Sequence, residues 1–194
     1  MKLYLSTIGI AMLVISAVNI FFNTGAWYYV ILAVVWCTAL QFAFDGSIAI
    51  IINKMPDRWF GVENSLYHVS KMERKLYGAL RVRLWKDSVW ELGALGGFSK
   101  KSLISPDDPE YIEKFIIECN KGVLTHRLSY PAGFLAMLTL PNVCSLTIAL
   151  PVAVVNLFLN ILPTLALRYN TPMLKSILKR LERKEKNHTF NSLI

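Results

Sequence analysis

Charge is scarce in this chain. Asp, Glu, Lys and Arg make up 18% of its 194 residues, against roughly a quarter in a typical soluble domain. That deficit argues against a soluble enzyme with a hydrated surface. Cysteine is scarce too. Cys37, Cys119 and Cys144 are odd in number and far apart, and two of them lie in apolar runs, which speaks against a disulfide framework or a cysteine-ligated zinc. GxGxxG and Walker patterns are missing, as are a serine nucleophile elbow, a Cys–His arrangement and a nucleic-acid motif. Internal repeats and low-complexity segments are absent as well.

What is present is apolar sequence. The apolar set makes up 54% of the chain and mean hydropathy is +0.42, which suits a small polytopic membrane protein. Leu3 to Phe22 carries no charge and is long enough to span hydrocarbon, which takes about 20 residues. No small-x-small cleavage signal follows it, so it is expected to be a retained helix. After the turn Asn23-Thr24-Gly25-Ala26, Trp27, Tyr28 and Tyr29 stand where an aromatic belt belongs. Further apolar runs complete spans near 27–52, 123–140 and 143–167. The expected fold is therefore all-α: a single integral-membrane domain over 1–194, a bundle of about four spans with interfacial amphipathic helices. Pro151 and Pro163 fall inside the last span, where neighbours must satisfy the freed carbonyls.

A polar stretch, 53–122, separates the second and third spans. Pro56 ends the second helix, and Asn64 is placed to cap a helix to about Leu80, with Leu66, Val69, Met72, Leu76 and Leu80 on one face. Asp108 and Pro109 fit the N-cap and first position of another helix, with Ile112, Phe115, Ile116 and Cys119 as its apolar face and Gly122 near its end. Thr171 and Pro172 would start a C-terminal amphipathic helix, 172–186, with Met173, Leu174, Ile177, Leu178 and Leu181 opposite Lys175, Lys179, Arg180 and Arg183. Net charge is +8, with twelve of the 21 Lys and Arg in 53–122 and seven in 168–194. The positive-inside rule puts the polar stretch and both termini in the cytoplasm of a multi-pass cell-membrane protein. Basic excess in that setting points to anionic lipid, not nucleic acid.

Several residues have the chemistry for catalysis or binding. His126 lies just inside an apolar run, eight residues after Glu118. On one continuous helix eight residues turn about 800°, which leaves the two side chains within roughly 80° of each other. A histidine oriented by a carboxylate is a general base for a hydroxyl; the plainer alternative is an interfacial His and a solvated Glu. Asp87 is a second candidate carboxylate. Beside it Lys86, Arg81 and Arg83 suit phosphates or a carboxylate, or equally an interfacial basic segment anchored by Trp85. Glycines 93, 96 and 97 offer backbone amides to an anion. Asp45 interrupts the second span, either as a buried partner for a polar group or at the headgroups. His68 and Glu73 resemble the H-x-x-x-x-D box of glycerolipid acyltransferases with Glu in place of Asp. One His with scattered carboxylates does not make a metal site.

Taken in order, Pro56-Asp57-Arg58-Trp59-Phe60, Trp85-Lys86-Asp87, Phe98-Ser99-Lys100-Lys101, Glu118 with His126, and Asn160 followed by Arg168-Tyr169-Asn170-Thr171-Pro172 resemble the glycosyl-4,4'-diaponeurosporenoate acyltransferase family. Relatives often carry a Pro and an acid soon after Trp-Lys-Asp; here Val89-Trp90-Glu91 keeps only the acid. The resemblance implies transfer of a fatty acyl group onto a hydroxyl of a glycosylated lipid or carotenoid-like acceptor. It implies no cofactor, with acyl-CoA or an acyl carrier protein as co-substrate and membrane lipids as surroundings. Under it His126 is the base, Glu118 or Asp87 orients it, and Trp85, Lys86, Arg83, Arg81, Arg168, Asn170 and Asn160 bind substrate. The alternative is a non-enzymatic membrane module whose basic faces bind anionic lipid or a protein partner.

Overall fold

The computed structural model describes residues 2–22, 25–89 and 103–191. Every element assigned among them is helical. They are α1 (Lys2–Phe21), α2 (Trp27–Asn53), α3 (Lys71–Ala79), α4 (Val82–Trp85), α5 (Pro109–Ala132), α6 (Asn142–Cys144) and α7 (Leu150–Asn191), joined by short 3₁₀ turns and one π segment. Among the described residues three helical stretches are long and apolar enough to cross a membrane: Tyr4–Phe21, Trp27–Asn53 and Ser145–Asn187. Glu91, the glycines 93, 96 and 97, and Phe98-Ser99-Lys100-Lys101 lie outside the described residues.

Element boundaries depart from the sequence expectation in three places. Residues 123–140 do not form one continuous helix of their own: α5 runs on through Gly122 to Ala132, and a 3₁₀ stretch, Gly133–Thr139, follows. The helix expected from Asn64 starts later. Asn64 caps only a 3₁₀ turn, Ser65–Tyr67, and Ser70 caps α3 by accepting from the Glu73 amide at 3.1 Å. Thr171 and Pro172 do not open a new helix, because α7 continues through them. The Thr171 hydroxyl instead donates back to the Leu167 carbonyl at 3.2 Å. An interior proline costs a helix about 3 kcal/mol, and burial of Leu174, Leu178 and Leu181 beyond it offsets that cost. The start of α5 is as expected: Asp108 Oδ1 accepts from the Glu110 amide at 3.0 Å, with Pro109 first in the helix.

The chain divides into two compact units. One comprises 1–53 and 125–162. Its buried positions include Ala33, Cys37, Gly133, Ala136, Cys144 and Ala149. Small residues of this kind let helices approach closely where lipid removes most of the hydrophobic drive to associate. Large apolar side chains such as Leu13 and Phe21 point outward from α1. The π segment Ser145–Ala149 precedes Pro151. Proline has no N–H, so the Thr147 carbonyl four residues earlier loses its helical donor. Asn19 of α1, 2% exposed, supplies one: its Nδ2 donates to Thr147 O at 2.9 Å and to Ile15 O at 2.9 Å.

The second unit comprises 54–124 and 163–194. Asp57–Phe60 forms a 3₁₀ turn with Phe60 fully buried. Asn120 Nδ2 donates to the Phe60 carbonyl at 2.8 Å, and Lys121 Nζ sits 5.9 Å from the Phe60 ring centroid. Val69, Tyr77 and Val82 form a small core with Trp85, Leu165 and Tyr169 against it. Arg81 joins α3 to α4 at φ 49°, a left-handed conformation that most side chains avoid.

If Asn19 replaces the donor that Pro151 removes, Asn19→Leu should lower stability by about 1–3 kcal/mol, the cost of an unpaired buried carbonyl. Adding Pro151→Ala should restore part of the loss. Thermal unfolding of both variants in detergent checks this, and a double variant no better than the single one counts against the pairing.

Candidate active site

His126 lies two turns before the end of α5 and is half-buried. Its Nδ1 is 2.8 Å from Asn160 Oδ1 on α7. The Asn160 amide is oriented by its other end: Nδ2 donates to Asn156 O at 3.0 Å, Asn156 Oδ1 at 3.2 Å and Asp45 Oδ2 at 3.2 Å. With the NH₂ group facing three acceptors, the oxygen is left for His126. Nδ1 of a neutral imidazole must then carry the proton, and Nε2 is the basic nitrogen. Asp45 therefore sits in this network rather than at a free helix end. Its Oδ1 is buried without a hydrogen-bond partner, as are Gln41 Oε1, Asn156 Nδ2 and Ser129 Oγ. Buried polar atoms are rarely left unpaired, and these four lie in one unit.

Gln41 and Asn156 meet at Gly133. Gln41 Nε2 donates to the Gly133 carbonyl at 2.6 Å. A Cβ at position 133 would lie 2.8 Å from Gln41 Oε1, which would have to shift, and 3.2 Å from Asn156 Nδ2, which would have to give by a few tenths of an ångström. The same two side chains line a half-open groove among α1, α2 and α7, otherwise walled by groups such as Ile8, Met12, Phe42, Val155 and Leu159.

In the other unit the polar residues are tied to one another. Arg168, 5% exposed, binds Glu73 through Nε and through Nη2 at 2.7 Å, and donates from Nη2 to the His68 carbonyl at 2.9 Å. The Tyr77 hydroxyl donates to the same carboxylate. Burial pushes the Glu73 carboxyl up, but hydrogen bonds from Arg168 and Tyr77 and the charge of Arg168 outweigh it and hold Glu73 below its ordinary value. Burial, then the bond to Glu73, push the Tyr77 phenol up, so it stays a neutral donor. The His68/Glu73 box is thus a clamp on Arg168, with His68 contributing its backbone.

Lys121 Nζ bridges Asp57 at 2.6 Å and Glu118 at 3.1 Å. Burial pulls its ammonium down, and the two carboxylates more than reverse that, so it stays charged. Asp87, largely exposed, pairs with Lys86 at 2.7 Å. Trp85 Nε1 donates to the Leu80 carbonyl at 3.0 Å, Arg81 and Arg83 are exposed, and Asn170 is half-buried.

Of the residues singled out from sequence, the structure brings His126, Asn160 and Asp45 together. It gives Glu118 and Asp87 lysine partners, and it gives Arg168 to Glu73. Gln41, Asn156, Glu73 and Tyr77 were missed as members of these networks. A signal for two of them was present: Gln41 and Asn156 are amides inside otherwise apolar runs. Among the described residues no group of three His, Cys, Asp or Glu gathers as metal ligands would.

Long apolar helices with a His–Asn–carboxylate network set among them define a helical, membrane-associated protein with a polar network in its interior. Residues 56–180 match the family described as glycosyl-4,4'-diaponeurosporenoate acyltransferase, and the chain belongs to that family of acyltransferases. No curated protein and no solved structure matches the chain. The family match takes in His126, Asn156 and Asn160, whereas Gln41 and Asp45 precede it.

Two predictions follow from these contacts. Glu73→Gln leaves Arg168 buried without its counter-charge and should cost about 3–5 kcal/mol at neutral pH. Because the folded value of Glu73 is depressed, its contribution is complete above the ordinary Glu value of about 4.3 and is lost as pH falls through the lower folded value. Thermal unfolding against pH should show wild type and variant converging only in acid. Separately, Gly133→Ala should displace the Gln41 amide and destabilise by about 1–3 kcal/mol, the cost of unpairing a buried polar group. An unchanged unfolding temperature would mean that the contact at Gly133 is loose.

Proposed function

We propose that this protein moves a fatty acyl group from a thioester, acyl-CoA or acyl carrier protein, onto a hydroxyl of a glycosylated lipid or carotenoid-like acceptor, with His126 as general base. The observation that carries the reading is the bond between His126 Nδ1 and Asn160 Oδ1 in a chain of this acyltransferase family. Nε2 takes the hydroxyl proton as the oxygen attacks the thioester carbonyl. The tetrahedral adduct collapses, the C–S bond breaks, and the thiolate leaves with the proton from the imidazolium. Asn160 is a positioning residue that holds the tautomer, and Asp45 holds Asn160. This assignment gives Asn160 and Asp45 the orienting role that the sequence suggested for Glu118 or Asp87, each of which pairs with a lysine.

The exposed cations Arg81 and Arg83, with Lys86, suit the anionic part of the donor. Arg168 has a structural role here, since its guanidinium is committed to Glu73 and His68. The concentration of Lys and Arg in 53–122 and 168–194 supports a cell-membrane protein with that segment and both termini cytoplasmic. Termini on one side need an even number of crossings. The stretch 125–140, partly 3₁₀, would then return the chain across hydrocarbon with its backbone shielded by protein.

The test is transfer of labelled acyl groups by membranes from a strain expressing the chain, read by lipid mass spectrometry against a strain lacking it. General bases contribute about 10²–10⁴-fold, and His126→Ala should lose activity on that scale. Asn160→Ala and Asp45→Asn should lose less and should shift the pH–rate profile, which a merely structural defect would not do. Near-normal turnover of His126→Ala at normal expression would sink the role of His126.

A further inference from the structure

We infer that the groove among α1, α2 and α7 holds the acyl chain of the donor, with Asn156 Nδ2 placed to donate to its carbonyl oxygen. The inference deepens the acyl-transfer reading above and rests on it, although its binding test does not.

Three observations converge on the groove. Its walls are apolar, supplied by residues such as Ile8, Met12, Phe42, Val155 and Leu159, and it is half-open rather than enclosed. Two amides interrupt those walls. Gln41 is 4% exposed and Asn156 6% exposed, yet Gln41 Oε1 and Asn156 Nδ2 have no hydrogen-bond partner. An unpaired amide among apolar side chains is costly, and a ligand with polar atoms at one end and hydrocarbon at the other would satisfy both groups once the amides turn from Gly133 into the groove. Finally, hydrogen bonds link the groove lining to the base. Asn156 Oδ1 accepts from Asn160 Nδ2 at 3.2 Å, and Asn160 Oδ1 is 2.8 Å from His126 Nδ1.

A fatty acyl thioester has this polarity. Its chain suits the walls, and its carbonyl oxygen, which gains negative charge as the hydroxyl adds, suits the open N–H of Asn156. The hydroxyl proton suits the open oxygen of Gln41 until His126 takes it. A fixed donor aimed at a developing oxyanion is worth about 10²–10³ in rate. The acyl chain and the catalytic His–Asn pair would then share one amide, Asn156, which couples chain seating to the chemistry.

The experiment uses the full chain in lipid nanodiscs and a hexadecanoyl-coenzyme A carrying a diazirine near the end of its tail. After photolysis, peptide mass spectrometry should find adducts on residues 8–15 of α1 and 152–159 of α7. Labelling should persist in His126→Ala, fall about tenfold or more when Ala11→Trp fills the groove, and be competed by unlabelled hexadecanoyl-coenzyme A. In turnover assays, Ala11→Trp should raise KM for the long-chain donor while sparing a butanoyl thioester. Asn156→Leu should lower kcat for both donors with little change in labelling. Adducts elsewhere, or equal competition by a phospholipid without a thioester, would overturn the inference and leave the role of His126 standing. Persistent groove labelling with an active His126→Ala would reject the base and retain the groove. If Ala11→Trp does not fold, the wild-type adduct map and its competition still decide.

Discussion

A helix that runs through hydrocarbon with amides on one face must find partners for them inside the protein, because lipid offers none. In α7, Asn156, Asn160, Thr164 and Arg168 recur every four residues, and all are buried. They stand on one stripe of the helix. What each pairs with decides what each part of the protein can do. Asn160 draws in His126 and Asp45, and Arg168 draws in Glu73, Tyr77 and the His68 backbone. Replacing any one of them with an apolar residue would strand its partner, so the stripe is a set of obligations rather than a list of contacts.

The two networks differ in how completely they are satisfied. Around Arg168 the charges are matched, bidentate and supported by a phenol, as expected of a structural clamp. Around His126 the orientation of one amide is fixed, while Asp45 Oδ1, Gln41 Oε1 and Asn156 Nδ2 remain open. Stability favours closing every such bond. A region that leaves several unpaired lies beside a groove of apolar walls. The family supplies the reaction class, acyl transfer, and the unequal satisfaction of the two networks suggests where to look for it.

Proline and glycine carry a related lesson. Pro151 removes the donor for Thr147 O, and the gap is met by Asn19 from another helix. Gly133 leaves out a Cβ, and the space is taken by Gln41 and Asn156. In both cases a missing group on one segment is answered by a polar group far away in sequence. The pairing is what makes the omission tolerable in a membrane setting.

Periodicity and hydropathy were enough for the helical class, the apolar runs, the cap at Asp108 and the family motifs, because those depend on residues a few positions apart. The polar stripe of α7 went unread despite its four-residue spacing, and its consequences could not be read from spacing at all. The choice of Asn160 over Glu118 beside His126, the capture of Arg168 by Glu73 and the passage of α7 through Pro172 are competitions among groups 34 to 115 positions apart or among whole buried faces. Sequence spacing carries no information about which distant partner wins. Packing decides it, since a buried polar group goes to whichever partner the helices bring within about 3 Å.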